Sequence, residues 1–425
     1  MFILVPKPSL MNKILSLLAF FTLSIPVFSQ QEAEVNPPDY IKTIIFKGDT
    51  QESQLPIIRL GDPVQLEFDA LNGNEDDFYY EIEYFDYDWK PSVLFKNEYL
   101  NGIDNQRIRT YENSFNTYQI YSHYRLSIPN SQTRGLKVSG NYMIKVYDDY
   151  GDLVFSRKFM VYEELSAVGV AIKRSRDVAF INEKQSVDIT VVPGRINVIN
   201  PDQTIKTTII QNNNLNTAIH NVKPQYTLGK ELVYKYVKET AFWGGNEYLY
   251  FENKDLRAAN SGIQFTRLLD LYNSYLFTNT SRKNKPYTYF PDINGNFVVT
   301  ALDITSVDIE ADYAKVHFSL LSEELPGKKV YVYGNYNNYA LEESNLMTYD
   351  PENGVYFVSM LLKQGFYNYK YVTVDSKGVL NEGDISGNFD ETENSYKVLV
   401  YYRELGGRYD RIIGYNEGNS VNISN

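Results

Sequence analysis

The chain has 425 residues, a formal net charge of −12 and no cysteine, which excludes a disulfide framework, a thiolate metal site and lipid attachment at an N-terminal cysteine. So acidic a chain lacks the basic surface that phosphate contacts need, and no nucleic-acid partner is expected. Its 38 tyrosines and 23 phenylalanines favour strands, and its length leaves room for roughly two to three domains.

Residues 1–29 read as a cleaved export signal, with Met11 as an alternative start. Met11 to Lys13 is short and basic, Ile14 to Phe28 is apolar, and the small residues Val27 and Ser29 precede Gln30. The apolar run is too short to span a bilayer and no later run is longer, so the mature chain is expected to be exported without spanning the membrane itself.

Period-two alternation dominates the rest. Val64, Leu66 and Phe68 alternate with Gln65, Glu67 and Asp69; Tyr80, Ile82 and Tyr84 alternate with Glu81 and Glu83; Tyr142, Ile144 and Val146 form a third set. The turn residues Asp148 to Gly151 lead into a hairpin partner, Val154 to Tyr162. Residues 30–163 therefore predict an N-terminal β-sandwich, with Asn97 to Tyr124 as a polar-aromatic excursion of strand and loop. Trp89 follows a strand and is expected to plug the core, as is Trp243, because aromatic rings bury large areas.

Glu163-Glu164 marks a boundary. Strands follow at Val187 to Val191, Ile205 to Ile209 and Leu232 to Val237, giving a middle β-rich domain over 164–303. Thr266 to Leu276 fits a helical turn or a strand equally. A third set of short strands over 304–402 predicts another sandwich. The polar, glycine-containing tail 403–425 is expected to be loosely held. The fold class is all-β: three consecutive β-sandwich domains, immunoglobulin-like or early-set.

Chemistry is sparse. His123, His220 and His317 are far apart in sequence and read as incidental surface residues, without the short ligand spacing of a zinc site. No Gly-x-Ser-x-Gly elbow supports a nucleophile, no Asp-rich calcium loop is present, and Gly244-Gly245 lacks the lysine of a phosphate loop. Adjacent acids such as Asp76-Asp77 and Asp148-Asp149 read as solvated turns. No catalytic residue, no cofactor and no metal are expected. In Gly334-Asn335-Tyr336-Asn337-Asn338-Tyr339, rings stand beside amides. Tyr336 and Tyr339 either bind a sugar or pack at a strand end, and packing is favoured.

That segment, with Gly354-Val355-Tyr356 and Gly365-Phe366-Tyr367-Asn368-Tyr369-Lys370-Tyr371, resembles early-set immunoglobulin-like modules of the glycogen-binding type. A wider resemblance runs through VNPPDYIKTIIFKG, LPIIRLGDPVQLEFDAL, FYYEIEYFDYDWKPS, SGNYMIKVYDDYGDLVFSRKFMVYE, FWGGNEYLYFENKDLRAANSG and YYRELGGRYDRIIGY. In that order they resemble the plug proteins of the type IX secretion translocon of Bacteroidetes, over nearly all of residues 35–415. The resemblance implies a periplasmic plug that binds the inner mouth of a very large outer-membrane β-barrel translocon. The plug closes the pore when no cargo is in transit. A lateral partner barrel that receives cargo belongs to the same system. No catalytic motif and no contact residue carry over. Two stretches are candidates for the partner interface: Tyr111, Phe115, Tyr118 and Tyr121 in the excursion, and Arg408 and Tyr409 in the tail. Rings beside amides suit a polar-aromatic interface, but the excursion's rings suit a cover over the first sandwich slightly better. The alternative function is that of an exported carbohydrate-binding protein.

Overall fold

The computed structural model describes residues 31–49, 54–421 and 423; the export-signal reading of 1–29 lies outside them. The described α-helices are single turns such as Lys96–Tyr99 and Val307–Glu310. Apart from short 3-10 turns such as Val178–Phe180 and Asn335–Asn337, the other regular elements among the described residues are strands, as the aromatic and β-branched composition favours.

The first sandwich packs two sheets. One runs in the order Ile41–Lys47, Val64–Ala70, Ser122–Ile128, Thr110–Asn113. The other contains Tyr79–Phe85, Gly140–Tyr147 and Leu153–Tyr162. The apolar ranks read from the sequence meet between them: Leu66 and Phe68 on one side, Ile82, Tyr142 and Ile144 on the other. Phe68 sits at the centre, stacked on Tyr124 at 5.1 Å and edge-on to Phe78 and Phe155 at 5.2 Å. Each such pair adds ~0.5–1.5 kcal/mol beyond its area burial.

The second sheet continues well past residue 163. It is nine-stranded, and its hydrogen-bonded order is Asn214–Val222, Ile205–Gln211, Ser395–Tyr402, Arg411–Asn419, Leu153–Tyr162, Gly140–Tyr147, Tyr79–Phe85, Gln106–Arg107, with Ile57–Arg59 paired beside Leu153–Tyr162. Segments from all three predicted domains and the tail thus share one sheet, and strand pairing runs across the boundaries at 163, 303 and 402.

The tail is not loosely held. Arg411–Asn419 pairs along Ser395–Tyr402 and meets Tyr162 through Ile412 on its other side. Ile412 and Ile413 are fully buried. Gly414 allows this packing: a Cβ there would stand 2.2 Å from Ser166 Oγ. Glycine here permits close approach and does not loosen the tail.

Against the strands at 205–211 and 395–402 packs a five-stranded sheet built on Ala167–Arg174, Lys184–Val192 and Glu231–Tyr234. The C-terminal sandwich places Gly365–Asp375 and its neighbours over a six-stranded sheet that contains Tyr313–Leu321 and Val355–Lys363. Residues left open between helix and strand form a hairpin, Ile263–Leu268 with Tyr272–Leu276. Trp89 plugs the core beside Phe85, as expected. Trp243 does not: it ends a three-residue strand, stays 45% exposed, and sits edge-on to Phe180 with Lys184 Nζ 4.1 Å over its ring.

Candidate partner interface

The excursion splits its four aromatic candidates between surface and core. Phe115 and Tyr118 stand out into solvent, 67% and 56% exposed. Their backbone is nonetheless fixed. Phe115 N–H donates to Ile309 O at 2.9 Å, and the Tyr118 and Gln119 amides donate to the Asp312 carboxylate at 2.7 and 3.1 Å. The Tyr118 ring rests edge-on against Tyr272 at 5.4 Å. Tyr111 is half-buried, stacked on Tyr124 at 5.5 Å, with its hydroxyl donating to Glu75. Tyr121 is 1% exposed and donates to Ala311 O at 2.8 Å. Exposed rings on a pinned loop suit docking, because little order is lost on binding. Tyr111 and Tyr121 serve as cover and junction instead.

Arg408 lies on the surface and makes a two-pronged contact with Glu98, at 3.1 and 3.0 Å. Tyr409 is half-buried against Tyr84, with ring centroids 6.1 Å apart. Their neighbour Asp410 is the group that matters structurally. It is buried, accepts from Arg403 Nε and Tyr87 N–H at 3.0 Å, and so ties the tail to the first sandwich.

Tyr336 and Tyr339 are both buried, and no ring face is left for a sugar. Tyr336 donates to Val332 O at 2.9 Å and packs on Tyr367. Tyr339 donates to Asn212 O at 2.9 Å, while Asn214 Nδ2 donates to Tyr333 and Asn216 Nδ2 to Tyr339 O. The ring-and-amide stretch 330–339 therefore mates with another polar stretch of the same chain, 212–216. These two tyrosines pack at the strand end and offer no surface on which a sugar could stack.

A buried ionic junction joins the first sandwich to the C-terminal one. Asp69 stood on the polar rank of its strand, yet it is wholly buried. One of its oxygens meets His123 Nδ1 at 2.7 Å; the other accepts from Lys363 Nζ and from the Tyr313 hydroxyl, each at 2.7 Å. Lys363 also donates to Asp308 O at 2.7 Å and lies 4.1 Å over the Tyr121 ring. Burial alone would raise the Asp69 carboxyl, but the Lys363 ammonium and His123 outweigh it and hold the group below its ordinary value. His123, read as incidental surface, is thus a buried strut. Beside it, Glu67, His123 and Asp308 offer ligand atoms within 4.8 Å of one another. Arg125 already joins both carboxylates there, contacting Glu67 at 3.3 Å and Asp308, so the positive charge is supplied by the protein.

No curated protein matches the chain. A crystal structure of a hypothetical protein from Parabacteroides merdae matches with a TM-score of 0.88 at 31% identity, over 92% of this chain and 100% of that one. A family model for the type 9 secretion system plug protein 1st domain matches residues 41–163. The chain carries the first domain of the type IX secretion plug proteins. That match covers the first sandwich, including Asp69, His123 and the whole excursion. A plug domain implies association with components of the secretion system and a location in the periplasm or at the outer membrane. No described helix is long and apolar enough to cross a membrane.

One more buried acid was not singled out from the sequence. Glu247, in FWGGNE, is pushed up to about 7 by burial, although the Tyr287 hydroxyl and the Glu393 N–H stabilise its charge. Its Oε2 has no hydrogen-bond partner.

Proposed function

We propose that the chain is a steric gate: it binds the periplasmic mouth of the large outer-membrane β-barrel translocon and closes it, with no enzymatic step. The family match over residues 41–163 carries this reading. The lateral partner barrel of the same system would then receive cargo only after the plug has left.

The physics of the molecule suits the task. A body that obstructs a wide pore must resist deformation, and here a shared nine-stranded sheet and a buried ion cluster cross-brace the parts. Docking must also be reversible. A plug that favours the idle translocon by ~3 kcal/mol over the cargo-engaged one shifts occupancy more than a hundredfold, which suffices for switching. Phe115 and Tyr118 are the side chains best placed for contact, since they are large, exposed and held on a fixed backbone.

Deleting the gene in its host tests the proposal. The expected result is an outer membrane leaky to large solutes, with a large barrel protein recovered when the tagged chain is pulled from outer-membrane extract. Unchanged permeability together with no barrel recovered would refute it.

A further inference from the structure

We propose that the strand Ile263–Leu268 is a docking edge that accepts an extended segment of another protein, one carrying an acidic residue two positions before an aromatic one. The proposal holds whether or not the chain closes a pore.

The strand ends its sheet and has a single neighbour, Tyr272–Leu276. The opposite end of the same sheet is the three-residue strand Thr348–Asp350, short as protected edges are. The Ile263–Leu268 end is twice as long. An unpaired edge of that length presents a row of N–H and C=O groups to any strand that can match its side chains.

The side chains that would do the matching are pre-ordered. Register sets Phe265 opposite Tyr275, and Tyr275 beside His317. Their rings form a ladder: Phe265 on Tyr275 at 4.4 Å and 14°, Tyr275 on His317 at 4.1 Å and 5°. His317 is fixed from both sides, by Asn273 Oδ1 at 2.8 Å and Ser359 Oγ at 2.7 Å. Burial, and Lys315 nearby, hold its pKa below the usual value, so the innermost ring is neutral. The ladder stops at Phe265, which is the outermost ring and 48% exposed. An aromatic residue on an added strand would continue it.

The next row supplies the charge. Arg267 lies opposite Asn273, which lies beside Lys315. Both cations are exposed and neither forms an ion pair among the described residues. On a chain of net charge −12, a bare basic row beside an open edge selects for an acidic partner. In an antiparallel added strand, the residue opposite Arg267 comes two positions before the residue opposite Phe265. Cross-strand pairs of this kind set specificity, while main-chain hydrogen bonds supply affinity.

The test uses the full mature chain and a capped threonine heptapeptide with glutamate third and phenylalanine fifth. With peptide in millimolar excess, amide exchange across Ile263–Leu268 should slow by about tenfold. Phe265→Ala should weaken binding by roughly fivefold. Arg267→Glu should lose this peptide and gain the one with lysine in place of glutamate, with melting temperatures unchanged in both variants. Unaltered exchange at these amides, or equal binding of both peptides to Arg267→Glu, would overturn the proposal.

Discussion

Replacing Lys363 with methionine is the sharpest probe of how the molecule is held together. The change removes the ammonium that stands 2.7 Å from Asp69 Oδ2 and leaves a buried carboxylate with only His123 and Tyr313. At that separation and an effective dielectric near 20, the lost attraction is roughly 6 kcal/mol before desolvation is counted. Breaking a buried pair from one side typically costs ~3–5 kcal/mol, because the remaining charge is stranded. With unfolding entropy near 2.1 cal/mol/K per residue, a chain this long should lose about 3–6 °C in melting temperature. Calorimetry should show this loss for Lys363→Met and a comparable one for Asp69→Leu. The double variant should lose less than the sum, because it strands no charge. The acid limb gives an independent check. The Asp69 carboxyl is held below its unfolded value, so its contribution is complete above about pH 4 and fades as pH falls through the folded value. Asp69→Leu should abolish that part of the acid sensitivity. Strict additivity of the two single variants, or a shift under 1 °C for Lys363→Met, would refute the argument that this junction braces the two sandwiches.

Glu247 has the opposite sign. Its folded pKa is near 7, above the unfolded value, so the folded state holds the extra proton and stability falls as pH rises between about 4.5 and 7. Glu247→Gln should therefore stabilise by on the order of 2 kcal/mol at pH 8 and do little at pH 5, measured by denaturant melts at both. Phe115→Ala with Tyr118→Ala should leave the melting temperature within ~1 °C, since both rings are exposed, while lowering recovery of the barrel partner at least tenfold. Gly414→Ala would place a Cβ 2.2 Å from Ser166 Oγ and should cost ~1–3 kcal/mol by overpacking, seen as an earlier thermal transition.

Strand positions were largely legible, because alternation is local: Val64, Leu66 and Phe68 face the core as their spacing predicts. Partnership was not. Nothing near Ile205–Gln211 signals that it pairs with Ser395–Tyr402, since pairing across that distance leaves no periodic trace. The polar rank misled for a related reason. Asp69 alternates like a solvent-facing residue, but a second sandwich covers that face and supplies Lys363. The excursion was recognisable by its rings and amides, yet only contacts with Ile309 and Asp312 separate Phe115 and Tyr118, which face out, from Tyr121, which faces in. The Ile263–Leu268 edge was hidden because a short apolar-polar run fits helix and strand equally.

The strand Arg411–Asn419 has a consequence for the order of events in folding. It lies between Ser395–Tyr402 and Leu153–Tyr162 and connects two groups of strands that otherwise do not touch in the sheet. Until residues 411–419 are available, a chain can form a left and a right half-sheet but cannot join them. The edge of Leu153–Tyr162 is already covered at residues 160–162 by Ile57–Arg59, but that of Ser395–Tyr402 stays open meanwhile, and an open edge recruits wrong partners. A chain that emerges N-terminus first is therefore most exposed to misassembly just before residue 411 appears, and becomes safe within the next few residues.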